Sequence, residues 1–181
     1  MNIFWFRRDL RIEDNVGLFH ALSSNEEVLP IFIFDEIILS ELPKDDARVT
    51  FIHEQLEKIQ SELNKIGKSL AVFHGNPIEV FTKLISENKI ISIYTNHDYE
   101  PYARKRDKEM NQLFVSKGIS FLTSKDQVIF EKSEVVKDDG SPYVVYTPYS
   151  KKWKENFKKI KLVHYPSEEK LYRIAQHSYS F

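Results

Sequence analysis

Two short stretches concentrate the side chains that could do chemistry. The first is Arg7-Arg8-Asp9-Leu10-Arg11-Ile12-Glu13-Asp14, and the second is Asn96-His97-Asp98-Tyr99-Glu100-Pro101-Tyr102. Guanidinium groups offer forked donors to an anion, so Arg7, Arg8 and Arg11 could hold one; equally, they could pair with Asp9, Glu13 and Asp14 and only shape a loop. Asp98 and Glu100 alternate around Tyr99, which in an extended segment sends both carboxylates to one side. Such a pair could accept hydrogen bonds from a ring N–H or a hydroxyl, or could serve the N-terminal end of a helix beginning at Pro101. Arg104 and Arg106 with Asp107 read as pairs on a helix surface.

Several chemistries are disfavoured at once. No G-x-G-x-x-G run follows the first apolar segment, so the glycine cradle of a dinucleotide enzyme is missing. The six histidines show no i, i+4 pairing, there is no cysteine, and no serine stands in a nucleophile-elbow context. Neither a metal site nor a catalytic residue is assigned.

The elements that must position these stretches alternate in type. Asn2 to Phe6, Val28 to Phe34, Leu70 to Phe73, Ile90 to Thr95 and Ile119 to Thr123 read as strands. Between them lie helices: Asn15 to Leu22 behind an Asp14 N-cap, a long one striped by Val49, Ile52, Leu56, Ile59, Leu63 and Ile66 and closed by Gly67, one opened by Asn76-Pro77 and closed at Lys89, and Pro101 to Gly118. Strands separated by helices imply right-handed crossovers. The fold expected is α/β, a doubly wound five-stranded parallel sheet of the Rossmann-like kind, in which ligands sit where the strand order reverses, between the first and fourth strands. Val135 to Val145 around Asp139-Gly140 reads as an appended hairpin. Beyond Pro148, a lysine-rich helix carries Trp153, Phe157 and Ile160 on one face, and a polar linker tail runs to Phe181. The expected division is 1–130 for the α/β domain and 131–181 for hairpin and linker.

At 181 residues, 41% hydrophobic and 29% charged, the chain is in the globular range. A net charge of -1 supplies no bulk field for nucleic acid or membrane. The one dense basic run, Lys151, Lys152, Lys154, Lys158, Lys159 and Lys161, could touch phosphates, or leave its lysines solvated while its apolar side packs. There is neither a signal segment nor a membrane span, and the absence of cysteine fits a reducing, cytoplasmic setting; a monomer is expected.

Trp5-Phe6-Arg7-Arg8-Asp9-Leu10-Arg11-Ile12-Glu13-Asp14-Asn15 resembles the W-F-R-x-D-L-R-x-x-D-N opening of the photolyase and cryptochrome family. Ala47-Arg48-Val49, the stretch from Tyr99 to Asp107 and the stretch from Tyr143 to Tyr149 before Trp153 follow it in the same order. The resemblance implies an antenna domain that binds a light-harvesting pigment, belonging to a blue-light-driven enzyme that repairs pyrimidine dimers. It also implies a helical domain beyond this chain, holding FAD and meeting damaged DNA, so this chain alone is expected to be inactive. A cryptochrome photoreceptor domain and a stand-alone nucleotide-binding domain are the alternatives. Folate-binding relatives carry Asn-Glu where this sequence has Tyr102-Ala103, which favours a deazaflavin or FMN antenna, or none, over methenyltetrahydrofolate. The pigment cleft is expected to be lined by Arg7, Phe34, Arg48, Asp98 and Glu100, and to be empty in this chain alone.

Overall fold

The computed structural model describes residues 1–181. Five strands, β1 (Asn2–Phe6), β2 (Val28–Asp35), β3 (Ala71–Gly75), β4 (Ser92–Asn96) and β5 (Ser120–Ser124), form one parallel sheet in the order β3-β2-β1-β4-β5. The strand order reverses between β1 and β4, as a doubly wound sheet requires. The pleat explains why β1 is apolar throughout. Ile3 and Trp5 enter one core with Phe81, Met110 and Phe114, while Phe4 and Phe6 enter the other with Leu18, Leu56 and Leu63. Helices therefore cover both faces of the sheet: α1 (Val16–Leu22), α3 (Ala47–Asn64), α4 (Pro77–Glu87) and α5 (Pro101–Ser116), with a short α2 (Glu36–Ser40) between β2 and α3. Pro30 is tolerated in β2 because β3 pairs only from Ile31 onward.

Local chemistry sets the helix ends. Asn76 accepts from the Ile78 amide with Pro77 in the first turn, and Gly67 and Gly118 take positive φ just after α3 and α5. At α1 the capping residue is Asn15, whose side chain accepts from the Leu18 amide, and not Asp14, which takes a φ of 46° in the turn before it. Ile66 falls outside α3 and is exposed, because the helix stops at Asn64. The strand ends expected from composition shift by one or two residues, and α2 was not foreseen, since Glu36–Ser40 is too short for a helical stripe.

Residues 1–126 together with 165–181 form one compact unit, and residues 127–164 a second. The expected hairpin at 135–145 does not form. Lys137 and Ser141 close only a local turn, Pro142 lacks an amide for a ladder, and Val144 is 88% exposed. In its place, a 3-10 turn (Lys132–Glu134) precedes α6 (Tyr146–Phe157), where Trp153 stacks on Phe157 and meets Phe130 edge-on. The end of the chain is no free linker either. Ile174 and Ala175 are buried, the Ala175 amide donates to the Val28 carbonyl, and Ser167 bonds both Asn15 and Ile12, so residues 165–181 complete the α/β unit.

Candidate functional site

The carboxyl ends of β1 and β4 carry a buried polar network. Asn96, the last residue of β4, donates to the carboxylate of Asp9 and to Asn15 Oδ1, and its own Oδ1 accepts from the Gly17 amide at 2.8 Å. Asp9 also accepts from the Arg7 amide at 2.9 Å and from the Asn15 side chain. Gly17 is required here, because a Cβ would lie 2.5 Å from Asn96 Oδ1 and 2.9 Å from the Phe4 ring. The network ties the first loop to the fourth strand, and so fixes both polar stretches at the point where the strand order reverses.

Beside it opens a cavity of about 480 Å³, within the range of small-molecule sites. Arg7, Phe34, Arg48, Asp98 and Glu100 all line it. Their states differ. The Arg7 side chain is buried, donating to Asp107 at 2.6 Å and to the Asn96 carbonyl. Arg48 at the rim grips Asp46 through two bonds of 2.8 and 2.7 Å, which hold the Asp46 carboxyl down at about 2. Asp98 and Glu100 do point the same way, and both converge on Arg8, at 3.8 and 3.2 Å; Asp98 also accepts from the Glu100 amide. Phe34 packs edge-on against Phe32, forming one apolar wall with Ile38, Leu39, Val49 and Ile52.

The arginines of the first loop form their ion pairs outside it, although Arg11 also donates to the Asp14 carbonyl within it. Arg7 reaches Asp107, Arg8 reaches Glu100, and Arg11 forms a two-point bridge to Asp126 at 2.7 and 2.9 Å. Asp9 is instead consumed by the asparagine network.

The floor holds residues that the sequence reading passed over. Arg106 is no surface residue: it is 7% exposed, with its guanidinium 4.7 Å from the Trp5 ring centroid and 5.6 Å from that of Tyr102. Its Nη1 lies 3.4 Å from Asp35, and its Nε and Nη2 have no hydrogen-bond partner, Asp107 being 3.6 Å from Nη2 and beyond reach. Burial, and then the neighbouring charge of Arg7, lower its pKa. Tyr102 donates to Asp35 at 2.7 Å, and burial together with that carboxylate raises the phenol above its ordinary value. A signal for Arg106 was available. It falls on the buried stripe of α5 formed by Ala103, Met110 and Phe114.

The cavity thus joins apolar walls to guanidinium and carboxylate groups at one rim, a composition suited to a flat ring with polar edges. The family model described as DNA photolyase matches residues 2–169. The chain belongs to the DNA photolyase family. It is 31% identical over 151 residues to a deoxyribodipyrimidine photo-lyase of Synechococcus sp., a match covering 83% of this chain and 31% of the relative. Among solved structures, a class III photolyase from Agrobacterium tumefaciens superposes with a TM-score of 0.70 at 30% identity, covering 81% of this chain and 30% of that one. An archaeal photolyase from Sulfolobus tokodaii, solved with two FAD molecules, gives a TM-score of 0.68 at 27% identity over 100% of this chain and 43% of that one. The chain therefore spans about a third of the Synechococcus and Agrobacterium proteins. Within this photolyase-family domain, Tyr102 and Ala103 are taken up by the floor: Tyr102 binds Asp35, and Ala103 is buried against the cavity.

Proposed function

We propose that this chain is the antenna domain of a deoxyribodipyrimidine photolyase. It takes a planar heteroaromatic pigment in the cavity at the carboxyl ends of β1, β2 and β4. The pigment would pass its excitation to FAD held by another domain of the parent protein, where light-driven cleavage of pyrimidine dimers takes place. The observation that carries this reading is the single cavity in which Phe34 and its apolar neighbours face Arg7, Arg48, Asp98 and Glu100. A flat ring can be desolvated against Phe34 while its polar edge meets the charged rim, and a buried polar edge left unpaired would cost about 1–3 kcal/mol. Deazaflavin and FMN suit the site better than methenyltetrahydrofolate, because the Tyr102 hydroxyl is already committed to Asp35. Titration of the chain with each of the three, followed by pigment fluorescence, tests the reading. One pigment should bind, and Phe34→Ala should weaken it about tenfold, as expected for loss of a buried aromatic contact. No binding by any pigment, or binding indifferent to both Phe34→Ala and Asp98→Ala, would overturn it. Alone, the chain should cleave no thymine dimer under blue light.

A further inference from the structure

The two edges of the sheet are finished differently. Along the β3 edge lies the end of the chain, where the Val72 amide donates to the Ser180 carbonyl at 3.1 Å and the Phe73 ring meets Tyr179. No such cover reaches β5. The Ser120 amide donates to the Ile91 carbonyl and the Ser124 carbonyl accepts from the His97 amide, so Ser120, Leu122 and Ser124 turn their main-chain groups toward β4. By the same alternation the amides and carbonyls of Phe121 and Thr123 point outward, and no group of the protein takes them.

A bare row of donors and acceptors is a template for another strand, and proteins that must stay apart blunt it with charge, proline, a bulge or a cover. β5 has none of these. Its residues Ser120-Phe121-Leu122-Thr123-Ser124 carry no charge and no proline, pair with β4 in unbroken register, and leave Leu122 42% exposed.

The strand also fits itself. Laid antiparallel to a copy about a twofold axis at Leu122, it sets Phe121 opposite Thr123 on both sides of the axis. These are the residues with free main-chain groups, and a directly opposed pair of that kind exchanges both of its hydrogen bonds. On one face an aromatic ring meets a β-branched side chain, and on the other Leu122 meets its own counterpart. Ser120 faces Ser124 and Lys125 faces Ile119, so no charge meets a like charge. We propose that β5 is a self-association edge, where two copies of this chain join antiparallel into one continuous sheet. A twofold dimer thus replaces the monomer expected from the sequence. The palindromic register favours a copy of the chain over an unrelated strand.

The test weighs the 181-residue chain by sedimentation equilibrium from about 1 µM to about 1 mM, since so short an edge belongs to the weak class of interfaces. Its mass should climb from 21.4 kDa toward twice that value. Two variants, checked for folding by circular dichroism, should stay at 21.4 kDa throughout. Leu122→Lys sets like charges opposite each other, and Thr123→Pro removes an outward amide that β4 does not use. Because the chain has no cysteine, Leu122→Cys supplies its only thiol. That thiol should cross-link to its counterpart under mild oxidation, because opposed non-bonded residues lie about 4.5 Å apart, within disulfide reach. Ser120→Cys lies about 14 Å along the strand from its own counterpart and should not cross-link. A chain still at 21.4 kDa at the highest concentration, a dimer that survives both variants, or a Leu122→Cys chain that cross-links no faster than Ser120→Cys would refute the proposal.

Discussion

The floor and the rim of the cavity use the same residue types to opposite ends. On the floor, Arg7, Asp9, Asn96 and Arg106 are buried and tied to partners far away in the sequence. On the rim, Arg8 with Glu100 and Arg48 with Asp46 are pairs whose arginines remain open to water. A buried polar group without a partner pays the full cost of desolvation, whereas an exposed pair can part at little cost. Apart from the two unpaired guanidinium nitrogens of Arg106, the floor is therefore structure that happens to be polar. The rim is polarity that a ligand can redirect.

Removing Asn96 should break the floor. Asn96→Ala orphans the buried Gly17 amide and removes one of two donors each from Asn15 Oδ1, which keeps the Leu18 amide, and from Asp9 Oδ2, which keeps the Asn15 side chain. The orphaned amide costs roughly 1–3 kcal/mol, and the weakened carboxylate and amide oxygens and the lost side-chain packing add to it. A net loss of about 2–4 kcal/mol in urea-induced unfolding is expected, and a loss below about 1 kcal/mol would mean that the floor is as replaceable as the rim. Gly17→Ala attacks the same junction by volume instead of charge. Its methyl group would press on Asn96 and Phe4, both part of the packed sheet end, at an expected cost of about 1–3 kcal/mol.

The division between floor and rim was only partly legible in the sequence. Strand and helix alternation is a long-wavelength pattern carried by many residues, so the parallel sheet follows from it, and the commonest order of such sheets places the reversal between the first and fourth strands, where it lies. The five residues expected around the cleft do line one cavity. What was hidden is pairing at long range. Asp107 lies 100 positions from Arg7, and Asp126 lies 115 from Arg11, while the nearer acids Glu13 and Asp14 looked equally suitable. Arg106 was hidden by chemistry, since a charged residue is ordinarily assigned to solvent even when its spacing places it on a buried stripe. The hairpin failed for a related reason. Asp139-Gly140 does turn, but a turn becomes a ladder only if its flanks find partners, and Val144 and Val145 are exposed.

At the rim the expected effects are smaller. Arg8→Gln removes an ion pair to a carboxylate that is 64% exposed, so unfolding should change by no more than about 1 kcal/mol, and less in high salt. The same substitution is expected to weaken pigment binding, because Arg8 lines the cavity. Stability lost without any change in binding would place Arg8 with the floor.

The gentlest probe of the rim is pH. The Asp46 carboxyl is held at about 2, against an ordinary 3.8, first by the hydrogen bond from the Arg48 side chain and then by the Arg48 amide. Because the folded value lies below the unfolded one, the contribution is complete above about pH 4, declines as pH falls through 3.8, and is gone below about 2. The partner Arg48 is open to water, so the effect on stability should be slight, and the carboxyl resonance in an NMR titration is the sharper measure. Its midpoint should lie near 2 and should climb toward 3.8 in Arg48→Gln, with the amide bond retaining part of the shift. Addition of a pigment that engages Arg48 should move the midpoint in the same direction, because a ligand acceptor that takes over the guanidinium must draw it away from Asp46. A midpoint that rises in Arg48→Gln but stays fixed with pigment bound would leave Arg48 as a brace for the Asp46 cap of α3 and nothing more.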